Sequence, residues 1–326
     1  MLSTFMKQLH LSFLFLLFAG LHTTAQTETQ KIYFLKNSGV YVKDKDSADY
    51  TRTVTDPVAG SSVYQINDFY LNGNKKRTAQ AIMNKRMVYE GPYVTWYKNG
   101  NQQQRGNYVN DELEGEQHTY YPDGKLYVTK VYSKEGTPAQ QSVYIKTVKD
   151  LKGKNLVRNG NGKYVIYDED FKQVTDQGNV KEGLNDGLWT GKNLKRQFSY
   201  AESYDKGKFL SGKSTDEKGK IYAYTKLVTD PEFVGGHAAL SKFLGTHIRY
   251  PEKCQEAGIE GTVFLKFTVL KTGEIRNISV LKSIHPDLNA EALRVVRLFA
   301  PWKPGYYRGI AEDTFCNLPV RFVLSN

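Results

Sequence analysis

Six histidines and two cysteines are the side chains of this 326-residue sequence best suited to chemistry, and their spacing assembles no reaction centre. A covalent catalyst needs a nucleophile, a base within reach and a group that orients the base. His237, beside Gly235-Gly236, has no Ser, Cys or carboxylate at a recognisable motif spacing. His285-Pro286 reads as shaping the start of a helix. Glu291 reads as an anchor through a charged hydrogen bond or as an exposed helix position, and Trp302 as a core or hinge aromatic. The histidines are dispersed and lack metal-ligand spacing, so no metal and no cofactor are expected. Cys254 and Cys316 are a candidate disulfide for an oxidising compartment, worth about 4 kcal/mol in the chain-entropy picture. The alternative is that each is a small buried apolar residue. An enzyme is not expected.

What the residues do offer is a strand edge. Cys316, Leu318, Val320, Phe322 and Leu324 alternate along one face of a final strand, and Pro319 interrupts it on the other. Proline cannot donate to a ladder and is tolerated mainly at sheet edges. An open edge is a template for an incoming extended peptide. Phe315, Asn317, Pro319, Arg321 and Val323 are therefore the candidate partner-binding residues.

The elements that must hold this edge are legible upstream. Gly235-Gly236 permits a sharp turn into a helix near His237, with Ala238, Leu240, Phe243 and Leu244 as its apolar stripe. Tyr250-Pro251 opens a second helix that Gly258 ends. Val263, Leu265, Phe267 and Val269 alternate with Thr262, Phe264, Lys266 and Thr268, the pattern of a half-buried strand. Lys271-Thr272-Gly273 turns into a partner strand carrying Ile278 and Val280. A helix from Pro286 presents Leu288, Ala292, Val295, Val296 and Phe299 at helical spacing. The expectation is an α+β domain over residues 229–326.

Residues 1–25 read as a cleavable signal peptide: Lys7 and His10 precede the apolar run Leu11–Leu21, and small residues lead to Ala25. The run is short for a membrane anchor, which needs roughly 20 apolar residues. A soluble periplasmic chain beginning near Gln26 is expected. The net charge of +11 is scattered rather than clustered, so it suits anionic envelope polymers or receptors better than nucleic acid. The 23 tyrosines and 28 glycines against 10 prolines indicate many short strands and tight turns. Over residues 26–212, Tyr89-Glu-Gly91-Pro-Tyr93-Val-Thr-Trp96-Tyr97-Lys-Asn99-Gly100 is echoed by Leu113-Glu-Gly115-Glu-Gln-His-Thr-Tyr120-Tyr121-Pro-Asp123-Gly124. Gly91 to Gly115 and Gly100 to Gly124 both step by 24 residues, the mark of a repeat array. The Asn-Gly and Asp-Gly pairs predict type I′ hairpin turns. Residues 213–228 are the expected linker, polar and turn-forming up to Lys220, with Tyr222 to Val228 closing as a last strand.

The ordered set Phe233-Val-Gly235-Gly236, Tyr250-Pro251, Gly258-Ile-Glu-Gly261, Lys271-Thr-Gly273, His285-Pro286, Ala290-Glu291-Ala292-Leu293 and Trp302-Lys-Pro304-Gly305 resembles the C-terminal domain of TonB. That resemblance implies a peptide-binding module that engages the extended N-terminal box of TonB-dependent outer-membrane transporters beside its final strand. It implies no small-molecule substrate and no nucleic acid. The hairpins resemble MORN-type repeats in the looser form of YwqK-like antitoxin-family proteins, all-β and readable as a rigid spacer. A full TonB also has an N-terminal anchor and a Pro-rich spacer, and the hairpins stand where that spacer would be. The expected function is a periplasmic TonB-like binding protein supporting transmembrane transport. An inner-membrane energy transducer working through ExbB–ExbD, if residues 1–25 stay as an anchor, and an antitoxin-like or envelope-binding hairpin protein are the alternatives.

Overall fold

The computed structural model describes residues 29–134 and 141–324. The predicted signal peptide lies outside the described residues. The described residues form two compact units, divided between Asp186 and Gly187.

The first unit is a large antiparallel β-structure. It opens with β1 (Gln30–Leu35), β2 (Tyr41–Val42), β3 (Tyr50–Thr55), β4 (Val63–Tyr70) and β5 (Lys75–Asn84). Next come β6 (Arg86–Trp96), β7 (Gln102–Val109), β8 (Glu112–Leu113), β9 (Gly115–Tyr120) and β10 (Leu126–Lys134). The strands β11 (Gln141–Lys149), β12 (Asn155–Arg158), β13 (Asn161–Tyr167) and β14 (Val174–Lys181) complete it. From β3 to β7 each strand pairs with the next, as expected for consecutive hairpins.

The 24-residue echo has a physical basis in the turns. In each, the glycine N–H reaches back three residues: Gly73 to Tyr70, Gly100 to Tyr97, and Gly124 to Tyr121. The starting tyrosine then clamps the next unit. The Tyr70 hydroxyl donates to the Trp96 carbonyl at 2.8 Å, Tyr97 to Tyr120 at 2.6 Å, and Tyr121 to Lys149 at 2.8 Å. These turns are not the predicted type I′. Only the glycines have positive φ (87°, 90° and 86°), whereas Asn72, Asn99 and Asp123 are not among the positive-φ residues. A type I turn followed by a left-handed glycine is the three-residue hairpin solution. The I′ geometry occurs instead at Asn110-Asp111, Asn159-Gly160 and Glu182-Gly183, where both residues are left-handed.

A repeat of this kind buries its apolar face only against its neighbours. Ile66, Ala81, Val148 and Val157 are fully buried, and Tyr121 is 1% exposed. One charge is buried with them: Asp68 accepts from Arg52 Nε at 2.7 Å and from Arg77 Nε at 3.0 Å. A carboxylate without those partners could not be tolerated there.

The division falls within β15 (Leu184–Asn193), and the second unit continues with β16 (Phe198–Asp205), β17 (Lys208–Asp216) and β18 (Ile221–Tyr224). Much of the predicted linker over 213–228 is paired backbone, because β17 and β18 pair from Gly212↔Tyr224 to Thr215↔Ile221. The strand β19 (Val228–Thr229) follows, then α1 (Gly236–His247), α2 (Glu252–Glu256), β20 (Gly261–Val269), β21 (Ile275–Lys282) and α3 (Pro286–Val296). Finally come β22 (Gly305–Tyr307), β23 (Ile310–Glu312) and β24 (Thr314–Phe322). The helix–strand order matches expectation, with one further hairpin, β22–β23, between α3 and β24.

The C-terminal core sits where the alternation placed it. Val263, Leu265, Phe267 and Val269 are fully buried, together with Leu288, Ala292 and Val295 of α3. Leu318, Val320 and Phe322 close the core from β24, and Trp302 packs edge-on to Phe267 with centroids 5.4 Å apart. Gly258, with φ of 64°, follows α2 as the expected cap. The helices and the three-stranded sheet β21-β20-β24 make an α+β layout.

Candidate functional site

The edge is built by β24. It pairs with β20 along its whole length, from Thr314↔Val269 to Phe322↔Gly261, and no other strand covers its far side among the described residues. Pro319 stands opposite Phe264, and the register continues without a shift on either side. A proline inside an unbroken ladder must occupy a position whose nitrogen faces away from the partner. By alternation the N–H groups of Phe315, Asn317 and Arg321 face outward too, while those of Cys316, Leu318 and Val320 face β20.

Side chains follow the same period. Phe315, Asn317, Pro319 and Arg321 are exposed, Phe315 at 71%, and Val323 just past the strand is 52% exposed. The predicted set thus shares one side of one strand. Lys266 of β20 lies over the Phe315 ring, 4.9 Å from its centroid, which holds this aromatic in place at the surface. Arg321 pairs across with Thr262.

A groove of about 700 Å³ runs between this edge and α1. Leu240, Leu244 and Ile248 line it from the helix and the helix-connecting segment, with Gly245 leaving space. Trp302, Leu318 and Cys316 line the sheet side, and Asp230, His237 and Arg321 supply polar groups. An apolar floor beside free main-chain donors is what an extended peptide requires. The contribution of α1 was not predicted, since a helix face and a strand edge about 75 residues apart carry no common spacing signal.

Other singled-out residues prove structural. His285 is the N-cap of α3, its Nδ1 accepting from the Asp287 N–H at 3.2 Å. Glu291 accepts from the Arg249 N–H at 2.6 Å and from Arg294 at 2.7 and 2.8 Å, while Arg294 donates to the His247 carbonyl. It ties α3 to the connection between α1 and α2. Burial raises the Glu291 carboxyl's pKa, but the Arg294 and Arg249 hydrogen bonds outweigh it and hold the group below its ordinary value.

The candidate disulfide is not formed; both cysteines are free. Cys254 is on α2, beside the Phe322 end of the sheet, where Tyr250 packs edge-on to Phe322 at 5.7 Å. Cys316 lies six residues back along β24, roughly 20 Å at the rise of a strand, and a disulfide spans far less. The structure instead sets Cys254 Sγ 3.2 Å from His285 Nδ1. With Asp287, these residues bring ligand-type atoms within 4.8 Å of one another, a grouping that sequence spacing missed. The His285 lone pair is already committed to the helix cap, and the positive end of α3 disfavours a cation.

Residues 246–324 match the family described as Gram-negative bacterial TonB protein C-terminal. This segment is a TonB C-terminal domain. The family is an interaction and energy-transduction domain of the Gram-negative envelope rather than a catalytic one. The match supports a part in transport-related envelope interactions for this segment. Within the TonB domain lie α2, α3, the sheet β21-β20-β24 and every predicted edge residue. No curated protein matches the chain. No helix among the described residues is long and apolar enough to cross a membrane.

Proposed function

We propose that this is a periplasmic TonB-like protein whose β24 edge takes up an extended segment of a TonB-dependent outer-membrane transporter, or of another envelope protein, by strand addition. The observation that carries this reading is the uncovered edge itself: outward N–H groups at Phe315, Asn317 and Arg321, with Pro319 sealing the one position that has none. Main-chain pairing supplies affinity, and the groove beside α1 supplies the fit for alternate side chains. The TonB family membership of residues 246–324 supports the same reading. Residues 1–25 act as the export signal in this account, and the repeats as a spacer.

Cys316 provides the test, because it lines the groove and is half-buried, whereas Cys254 is fully buried. Burial, then the charge of Asp230, pushes the Cys316 thiol up, so its alkylation is slow but measurable at alkaline pH. A synthetic peptide carrying the extended N-terminal segment of such a transporter should slow alkylation of Cys316 about tenfold at saturation. A peptide that binds and leaves the Cys316 rate unchanged would place the docking site elsewhere.

A further inference from the structure

The unpredicted β22–β23 hairpin is the most informative feature outside the partner-binding edge. Its two-residue turn is Arg308-Gly309, with φ of 50° and 77°, the left-handed pair of a type I′ turn. This tip does not reach into solvent. The Arg308 guanidinium forks onto Glu202 of β16, with Nε to Oε1 at 2.7 Å and Nη2 to Oε2 at 3.3 Å. It also stacks on Tyr200, with Cζ 3.6 Å from the ring centroid.

Glu202 is 2% exposed, and its carboxylate also accepts from two tyrosine hydroxyls, Tyr224 at 2.7 Å and Tyr204 at 2.9 Å. A buried carboxylate among tyrosines is a socket for a planar cation. The backbone of the tip is gripped as well. Ser214, fully buried on β17, donates to the Arg308 carbonyl at 2.8 Å, and the Arg308 N–H donates to Leu227 at 2.7 Å. Gly309 lies so close that a Cβ there would fall 3.2 Å from atoms of Tyr222 and Tyr224. At the flank, Arg196 pairs with Glu312 at 2.7 Å and lies over the Tyr307 ring.

We propose that the β22–β23 tip is a plug and the last hairpins its socket, so that the TonB domain is carried as a fixed head on β16–β18 and not on a tether. Three residues, Thr225 to Leu227, separate β18 from β19. Such a segment would otherwise act as a hinge, and the plug removes that freedom. Load applied at β24 then passes into the hairpins through packed side chains. The inference stands on contacts within the second unit and is independent of what binds at β24.

The test uses the full chain with a site-specific protease sequence placed after the exposed Lys226. After cleavage under native conditions, the two pieces of the parent should co-elute on size exclusion. Arg308→Asn removes the guanidinium while keeping a left-handed Asn-Gly turn, so the hairpin itself is preserved. Its two pieces should separate. In the uncut chain the same substitution should speed amide exchange across residues 212–224 by about tenfold or more. Arg308→Lys, which keeps the charge but loses fork and stacking, should give an intermediate result and serves as the readout if Arg308→Asn is poorly folded. Parent pieces that separate, or both variants' pieces staying together with unchanged exchange, would overturn the proposal.

Discussion

Leu318→Pro should unfold the C-terminal domain, whereas Asn317→Pro, one residue away, should leave it folded and weaken partner binding. The contrast follows from alternation along β24. Leu318 is 7% exposed, pairs with Leu265 and directs its N–H into the ladder. Proline there removes that bond and most of a buried leucine, a loss of about 3 kcal/mol or more. Asn317 is exposed, and its N–H faces away from β20. Pro319 already shows that the strand accepts this ring on that side. The folded domain therefore loses little, but an added strand loses one of three outward donors and meets the proline Cδ. Binding of a transporter peptide should fall by about tenfold or more, the equivalent of about 1.4 kcal/mol. Thermal unfolding and a peptide titration on the two variants separate the effects. Equal unfolding temperatures for both would contradict the assigned facing of the strand.

Glu291→Gln should cost the domain about 2 kcal/mol at neutral pH, through hydrogen bonds to a charged group from Arg294 and the Arg249 N–H. The pH dependence gives this prediction its sign. The carboxyl's pKa is lowered in the folded state, so its contribution is complete above the unfolded value, about 4.3. It is lost as pH falls through the folded value. The stability gap between parent and variant should therefore be full at pH 7 and narrow progressively as pH falls below the unfolded value. Denaturant unfolding across this pH range measures it, and a gap independent of pH would assign the loss to packing alone. Peptide affinity should be unchanged at pH 7 for the folded variant.

Local order in the C-terminal domain was readable because it is periodic. The alternation from Thr262 to Val269 marked the buried face, all four of whose members are fully buried. Pro319 marked the edge by a single missing donor. His285-Pro286 marked the start of α3, and the 24-residue step of glycines marked the hairpins. What sequence reading missed depends on backbone angles or on distance along the chain. Asn99-Gly100 and Asn159-Gly160 look alike in sequence yet form different turns, because the loop lengths imposed by the flanking pairs differ. Glu202 and Arg308 are 106 residues apart, and Cys254 and His285 are 31 apart. Neither pair has a spacing that announces it. The start of the second compact unit at Gly187 has the same origin: contacts from Arg308 and its neighbours draw the last hairpins into the C-terminal unit. Arg308-Gly309 between Tyr307 and Ile310 was the available signal, since a residue before glycine between apolar strand residues is a hairpin pattern.

The most direct test of strand addition is residue-resolved amide exchange on the parent chain, with and without a saturating peptide from the extended N-terminal segment of a TonB-dependent transporter. The β24 geometry predicts that Asn317 and Arg321 exchange freely in the unbound protein and become protected when the peptide is present. Leu318 and Val320, bonded to β20 in both states, should change little. A peptide that binds while the Asn317 and Arg321 amides stay unprotected, with new protection elsewhere in the domain, would contradict docking at this edge.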